Sequence, residues 1–377
     1  MAFHLHLIKF VFMGAIRIRL AEEEDNDQII QLAQRCPQEG MITFFPNRTP
    51  RFNTIHKILD TGAWHYVACD GDQIIGLVGV IHFRAMVLGR EMKVGFMLDL
   101  RVDIDYRNGL AAFKLVKTAV DHLRQSDVDM VLVNFLKDNK RPKVFTSGRG
   151  GLPPAHYLGD NRIFNIIPVR FKKLNKRFEI NEMADADIPE VIEMYRRYAN
   201  GYKFAPIMSE ALLRGYIKEL EGLDMNRFLL AREEGRIKAV TAMWDEHTYK
   251  SYNVLKLNTS TRMVNGLLKF LSPVMPMPQP IRLNEPLRQL SLVLHAHDNC
   301  PEALDTLFRH VNNIHLNTEY TLITIYAQEK DPLFVPMKKF IGVNVISEMY
   351  IFAKDESIFD KLDADSRIVL MDLVMTM

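Results

Sequence analysis

Residues 97–113 read Met-Leu-Asp-Leu-Arg-Val-Asp-Ile-Asp-Tyr-Arg-Asn-Gly-Leu-Ala-Ala-Phe, and their types and spacing suit the binding of a phosphate group. An apolar strand ends at Val102, and a polar turn carries Arg107 and Gly109. Phe113, Val116, Val120 and Leu123 then recur at helical spacing. A helix that starts at such a corner leaves its first N–H groups unpaired. With a glycine for close approach and an arginine alongside, those groups form an anion site. The same residues also suit an ordinary strand–turn–helix corner, since Arg-Asn-Gly is a common turn.

The elements that position this corner occur twice. Residues 16–20 alternate as a strand, and Asp25 precedes a helix carrying Ile29, Ile30 and Leu32. Residues 178–180, then Asp187, then Val191, Ile192 and Met194 repeat that order, each Asp suiting a helix cap. Residues 64–79 predict a hairpin around an Asp-Gly turn. Residues 227–240 match it without a gap, Ala68 with Ala231, Ile74 with Ile237 and Gly76 with Ala239. Further strands at 130–135, 290–294 and 322–326, and helices around Leu304 and Leu307 and around Phe145 and Phe334, complete two copies of one plan.

Strand, helix, antiparallel hairpin, strand, helix, strand, helix and strand is an order that resembles the GCN5-related N-acetyltransferases (GNAT). The corner resembles their acyl-CoA pyrophosphate loop, Gln/Arg-x-x-Gly-x-Gly/Ala. Gly109 takes the central place and Ala111 the last, Tyr106 stands where Gln or Arg is usual, and Arg107 falls one place late. The resemblance covers most of residues 14–353 and implies an α/β chain (α+β mixed sheet) of two tandem GNAT-like domains. The expected division is an extension over 1–13, a domain over 14–172 that binds acyl-CoA, a degenerate copy over 177–354, and a tail helix over 355–377. The extension is too short to span a bilayer, carries no cleavage site, and suits a start at Met13 equally well.

The resemblance places the pantetheine arm against the backbone of Leu100 and Val102. It places the pyrophosphate on the N–H groups of Arg107, Asn108, Gly109, Leu110, Ala111 and Ala112, and a CoA contact at Asn139. The expected activity is acyl transfer from acetyl-CoA or another acyl-CoA to a primary amine, by direct attack in a ternary complex, because no Cys or Ser sits in a nucleophile motif. Asp99, Asp103 and His82 are the candidate bases, the two aspartates reading also as solvated or salt-bridged strand residues. The family's acid, a Tyr seven places after the Asn, falls at Thr146, with Tyr157 further along. This leaves a non-catalytic acyl-CoA sensor or scaffold as the alternative. In the second copy Pro301 removes an N–H, and Asp298 and Glu302 oppose a pyrophosphate.

Other signals set bounds. His295-x-His297-Asp298 lacks companion ligands, so no metal is expected. Ser147-Gly-Arg-Gly-Gly suits an anion cradle or a helix stop. Residues 41–48 suit an acceptor site with Arg48 facing an acid, or packing against the second copy. A formal charge of +2 and no long basic run argue against nucleic acid. Cys36, Cys69 and Cys300 show no motif spacing and suit a reducing cytoplasm. The expected partner is a small-molecule or peptide amine, with no membrane, on a monomer or homodimer.

Overall fold

The computed structural model describes residues 15–60, 62–107, 109–139, 142–271, 278–362 and 369–370. The 1–13 extension, Asn108 and most of the tail helix expected over 355–377 lie outside them. The described part of the tail is a 3-10 turn, Glu356–Lys361, and Val369, which bridges to Phe204.

The first half runs β1 (Arg17–Leu20), α1 (Asn26–Arg35), β2 (Ile42–Asn47), α2 (Thr54–Leu59), β3 (Trp64–Asp70), β4 (Gln73–Val87), β5 (Arg90–Val102), α3 (Ala111–Gln125), β6 (Met130–Leu136) and β7 (His156–Ile166). The second runs β8 (Glu179–Glu182), α4 (Ile188–Ala199), β9 (Phe204–Pro206), α5 (Glu210–Glu219), β10 (Phe228–Glu233), β11 (Arg236–Trp244), β12 (Ser251–Leu257), α6 (Thr259–Leu271), β13 (Gln289–His297), α7 (Pro301–Ile314), β14 (Leu322–Gln328), α8 (Phe334–Met337) and β15 (Gly342–Ala353).

The two hairpins hold the register expected of a repeat: Ala68 pairs Gly76 on β3–β4, and Ala231 pairs Ala239 on β10–β11. Gly71 takes a left-handed φ of 58° in the first turn, which a glycine permits at no steric cost. Asp25 and Asp187 act alike: each stands at the N-cap position of the helix that follows, without a side-chain bond into that helix. Each closes a 3-10 turn, accepts from the N–H three residues back (Glu22, 2.7 Å; Ala184, 2.9 Å), and pairs with an arginine.

All described strands except β2 and β12 join one sheet, in the order β1-β3-β4-β5-β6-β15-β7-β14-β13-β11-β10-β8, with β9 on the far end of β4. The centre of that order shows an exchange. β15, the last strand of the second half, pairs with β6 of the first, and β7, from the first half, pairs with β14 of the second. The two exchanged strands also pair with each other. A further tie lies off the sheet, where β2 pairs antiparallel with β12.

α3 packs Leu115, Val116, Ala119, Val120 and Leu123 on Val78, Val80 and Met97. α7 packs Ala303, Leu304, Leu307, Phe308 and Val311 on Leu229, Leu290 and Ile323. Burying each large side chain stabilises by about 1.5–3 kcal/mol. Gly76 lets α3 come close, for a Cβ there would stand 2.9 Å from Leu115 Cδ1. No described helix is long and apolar enough to cross a membrane.

Candidate active site

β5 and β6 pair in parallel from Val94–Met130 to Met97–Val133, and beyond that the two strands part. β5 continues alone against β4, where Gly79 faces Leu98 and Leu77 faces Arg101. Asp99 and Leu100 therefore oppose the single residue Val78, a β-bulge with Asp99 at a left-handed φ of 55°. A non-glycine residue held in that region costs of order 1 kcal/mol or more and persists only where its surroundings hold it.

The surroundings are a buried polar network. Arg48, one residue past β2, donates from one guanidinium nitrogen to Asp99 Oδ2 (2.5 Å) and to His56 Nε2 (2.7 Å). Arg101 donates to Asp99 Oδ1 (3.1 Å), and His56 Nδ1 lies 2.8 Å from His65 Nε2. Arginine only donates, so His56 Nε2 must accept; His56 then carries its proton on Nδ1 and gives it to His65 Nε2. The three partners of Asp99, Arg48, Arg101 and His56, are buried or nearly so. Burial alone would raise the Asp99 carboxyl, but the Arg48 and Arg101 guanidiniums overcome it and hold the group far below the carboxylate range. Burial pushes His56 well below its usual value and His65 to about 4, so both are neutral at pH 7. The second half reaches this network too. Lys250, buried and 3.2 Å from Glu246, lies within electrostatic reach of Arg48 and His56.

The corner after β5 is also firmly held. Asp103 pairs with Arg35 of α1 (2.6 Å) and accepts from Asp105 N–H to open a 3-10 turn, Ile104–Tyr106. The Val102 carbonyl accepts from Cys36 Sγ and from Arg107 Nε, each at 3.3 Å, so the Arg107 side chain turns back to the strand end. Tyr106 Oη donates to Asp70 (2.8 Å), and Gly109 N–H donates to the Tyr106 carbonyl (3.0 Å). Leu110 takes the N-cap position of α3 exposed, with no side-chain bond to the helix and no acidic residue in the first turn. Among the described residues, no side chain accepts from the N–H groups of Leu110, Ala111 or Ala112. The glycine-rich loop folds over this end of α3. Gly150 takes φ 67°, and a Cβ there would stand 2.6 Å from the Phe113 ring, so only glycine fits.

The remaining sequence candidates lie apart. His82 Nδ1 donates to Asp60 Oδ2 (2.5 Å), and the ring packs edge-on against Trp64, which stacks on His122. His122 lies roughly 16 Å along α3 from its first residue at 1.5 Å per residue, so His82 sits toward the far end of that helix. Asn139 is exposed after β6, its N–H on the Leu136 carbonyl. Tyr157 donates to Asp160 (2.6 Å), which with burial raises its phenol above the usual range. Among the described residues, no three His, Cys, Asp or Glu side chains gather as a metal site.

The structure thus brings Asp99, Leu100, Val102, Arg107, Gly109, Leu110, Ala111 and Ala112 to one corner, and leaves His82 outside it. Sequence reasoning missed His56, His65 and Arg101. Only Arg48 carried a signal, as a cation among aromatic residues.

The second half repeats the backbone and not the chemistry. Val240 faces Ala296 and Ala242 faces Val293, which places an equivalent bulge at Leu294, φ 54°. The connection to α7 is short, through Asn299 at φ 49° and with Pro301 in the first turn beside Glu302. Asp298 pairs with Arg197 (3.5 Å), and His295 is buried against Thr241 (2.8 Å), where burial lowers it to about 3.

Residues 17–133 match the family model described as an acetyltransferase (GNAT) domain. No protein of curated function matches the sequence. Among solved structures the chain is similar to Saccharomyces cerevisiae N-myristoyltransferase with bound myristoyl-CoA, at 13% identity and TM-score 0.61, over 94% of this chain and 84% of that one. It is also similar to a GCN5-related N-acetyltransferase from Kribbella flavida, at 10% identity and TM-score 0.52, over 92% and 73%. A conserved protein from Enterococcus faecalis V583, a probable N-acyltransferase, aligns at 12% identity and TM-score 0.50, over 92% and 74%. Such identities speak for the fold. Residues 17–133 thus carry the GNAT domain match, and their order of elements, bulge included, is repeated in the second half, so the chain is built as two tandem copies of one fold.

Proposed function

We propose that the protein transfers an acyl group from acyl-CoA to a primary amine, with the donor held by the first half. The observation that carries this reading is the parting of β5 from β6 beside an uncapped, acid-free helix start. The opened strand offers the backbone of Leu100 and Val102 to the pantetheine amides. The N–H groups of Leu110, Ala111 and Ala112 take the pyrophosphate, with Gly109 allowing its close approach, Arg107 alongside and Asn139 across the gap. N–H groups of the bulge, free of a partner on the β6 side, stabilise the oxyanion of the tetrahedral intermediate.

Asp99 lies nearest the bulge but is a weak proton acceptor between two arginines, and Asp103 is bound to Arg35. Base catalysis then comes from the field rather than from one group. Arg48, Arg101 and Lys250 outnumber Asp99 and Glu246, so an ammonium entering from the α1–α2 side loses its proton to solvent water before the amine attacks. Attack of the neutral amine on the thioester carbonyl forms the C–N bond and expels the CoA thiolate, which needs a proton. Thr146 offers no phenol, but β15 brings Tyr350 opposite Val133, where β5 and β6 part. Tyr350 is assigned as that acid.

The same engagement of every carboxylate favours a second reading, a non-catalytic acyl-CoA sensor. Calorimetric titration with CoA, acetyl-CoA and myristoyl-CoA, followed by thiol release over an amine panel, separates the two. Binding with thiol release supports the transferase, and binding without it the sensor. No binding at millimolar ligand would sink both.

A further inference from the structure

The insertion between β11 and β13 has no counterpart in the first half, and its helix is inside out. An amphipathic surface helix ordinarily turns its apolar stripe to the core. In α6 the buried residue is the polar Asn265, whose amide donates to the Ile281 carbonyl (2.8 Å) and accepts from the Ile281 N–H (2.7 Å). The residues turned to solvent are Met263 (73% exposed), Val264 (53%), Leu267 (57%) and Phe270 (78%). Met263, Leu267 and Phe270 fall on one stripe at 100° per residue. Single exposed apolar residues are ordinary, but four on one helix face form a contiguous patch of the kind that marks an interaction site.

Charge identifies the occupant. From His247 to Asn284 the chain contains no Asp or Glu, while it carries Lys250, Lys256, Arg262, Lys269 and Arg282. Lys256, Arg262 and Lys269 are exposed on β12 and α6 around the apolar stripe. A helix with an apolar stripe, flanking cations and no acids matches the boundary between headgroups and acyl chains of an anionic bilayer. We propose that α6 anchors the protein peripherally to anionic membranes, its stripe buried among acyl chains and its cations among phosphates. This is attachment to a surface and not a span, and it revises the expectation of no membrane partner. Because β12 pairs with β2, which ends beside Arg48, the anchor would bring the α1–α2 face close to the bilayer.

The test is flotation of the full chain with phosphatidylcholine vesicles, with and without phosphatidylserine. The wild-type protein should float with the phosphatidylserine vesicles and be released by salt. L267E/F270E, at two exposed positions, should keep its circular dichroism spectrum and lose at least about tenfold in partition. K256Q/R262Q should lose about fivefold per cation on anionic vesicles and little on neutral ones. Wild-type protein that stays with the soluble fraction would overturn the proposal. So would full partition of L267E/F270E, or a wild-type dimer that this variant converts to monomer, since a second copy would then cover the stripe.

Discussion

The corners after β5 and β13 share a backbone and differ in almost everything attached to it. Both strands bulge at the same register, with a left-handed residue opposite one residue of the neighbouring strand. At the first corner that residue is Asp99, held by Arg48 and Arg101; at the second it is Leu294, packed in an apolar core. The first corner reaches its helix through a 3-10 turn and an exposed Leu110, and the second through a short connection with proline and glutamate in the first helical turn. A bulge is thus a property of the sheet, inherited by both halves. The ability to hold an anion comes from loop length and from which side chains surround the helix start.

The largest expected effect tests whether the halves are separable at all. A fragment of residues 15–172 lacks β14 and β15, which leaves β6 unpaired on one side and β7 on both. It should show no cooperative thermal transition by circular dichroism, whereas the full chain should melt as one unit. A fragment that melts cooperatively would mean the exchanged strands are dispensable.

The next effect separates the corners. Gly109→Glu puts a side chain and a negative charge where the pyrophosphate meets the backbone, and CoA affinity should fall by about 2–4 kcal/mol. Asn299→Glu at the second corner should leave it nearly unchanged. Calorimetry on both variants, each first shown to be folded, decides the matter: loss with Asn299→Glu alone would assign donor binding to the second half.

The smallest effect is one the halves should share. His65 and His295 are neutral in the fold, because burial lowers them to about 4 and about 3 from an ordinary 6.5. The unfolded chain binds these protons below pH 6.5 and the folded chain does not, so stability falls as pH drops from 6.5 toward 4. Each histidine contributes a slope of about 1.4 kcal/mol per pH unit at most. Urea titrations from pH 7 to 4.5 should show a shallower loss in His65→Gln and in His295→Gln than in the parent. An unchanged slope in either would mean that histidine is solvated.

Much of the fold was legible because its signals are local. The Asp-Gly turn announces the β3–β4 hairpin, and the gap-free match of Ala68 and Gly76 with Ala231 and Ala239 announces its copy. The β5–α3 corner was legible for the same reason, as a turn joining two periodic segments. The exchange of β7 and β15 was not, since both read as ordinary apolar strands and their choice of partner is settled over most of the chain length. The network around Asp99 was hidden in another way. Arg48, His56 and His65 come from a loop, a helix and a strand, and no periodicity links them until α2 lies against the sheet. Inside-out α6 was missed because a helical stripe of Met, Leu and Phe normally signals a core.

The strand exchange also sets a timetable for synthesis. β6 and β7 leave the ribosome early, but the strand that lies between them, β15, is the last of the described strands to be made. At 5–20 residues per second, the roughly 190 residues between the end of β7 and the end of β15 take about 10–40 s to translate. Throughout that interval the nascent chain carries two open sheet edges, each a template for pairing with another polypeptide. Newborn protein is therefore exposed to aggregation for far longer than the folding of either half would require, and its yield in a cell should depend on chaperones that shield strand edges until translation ends.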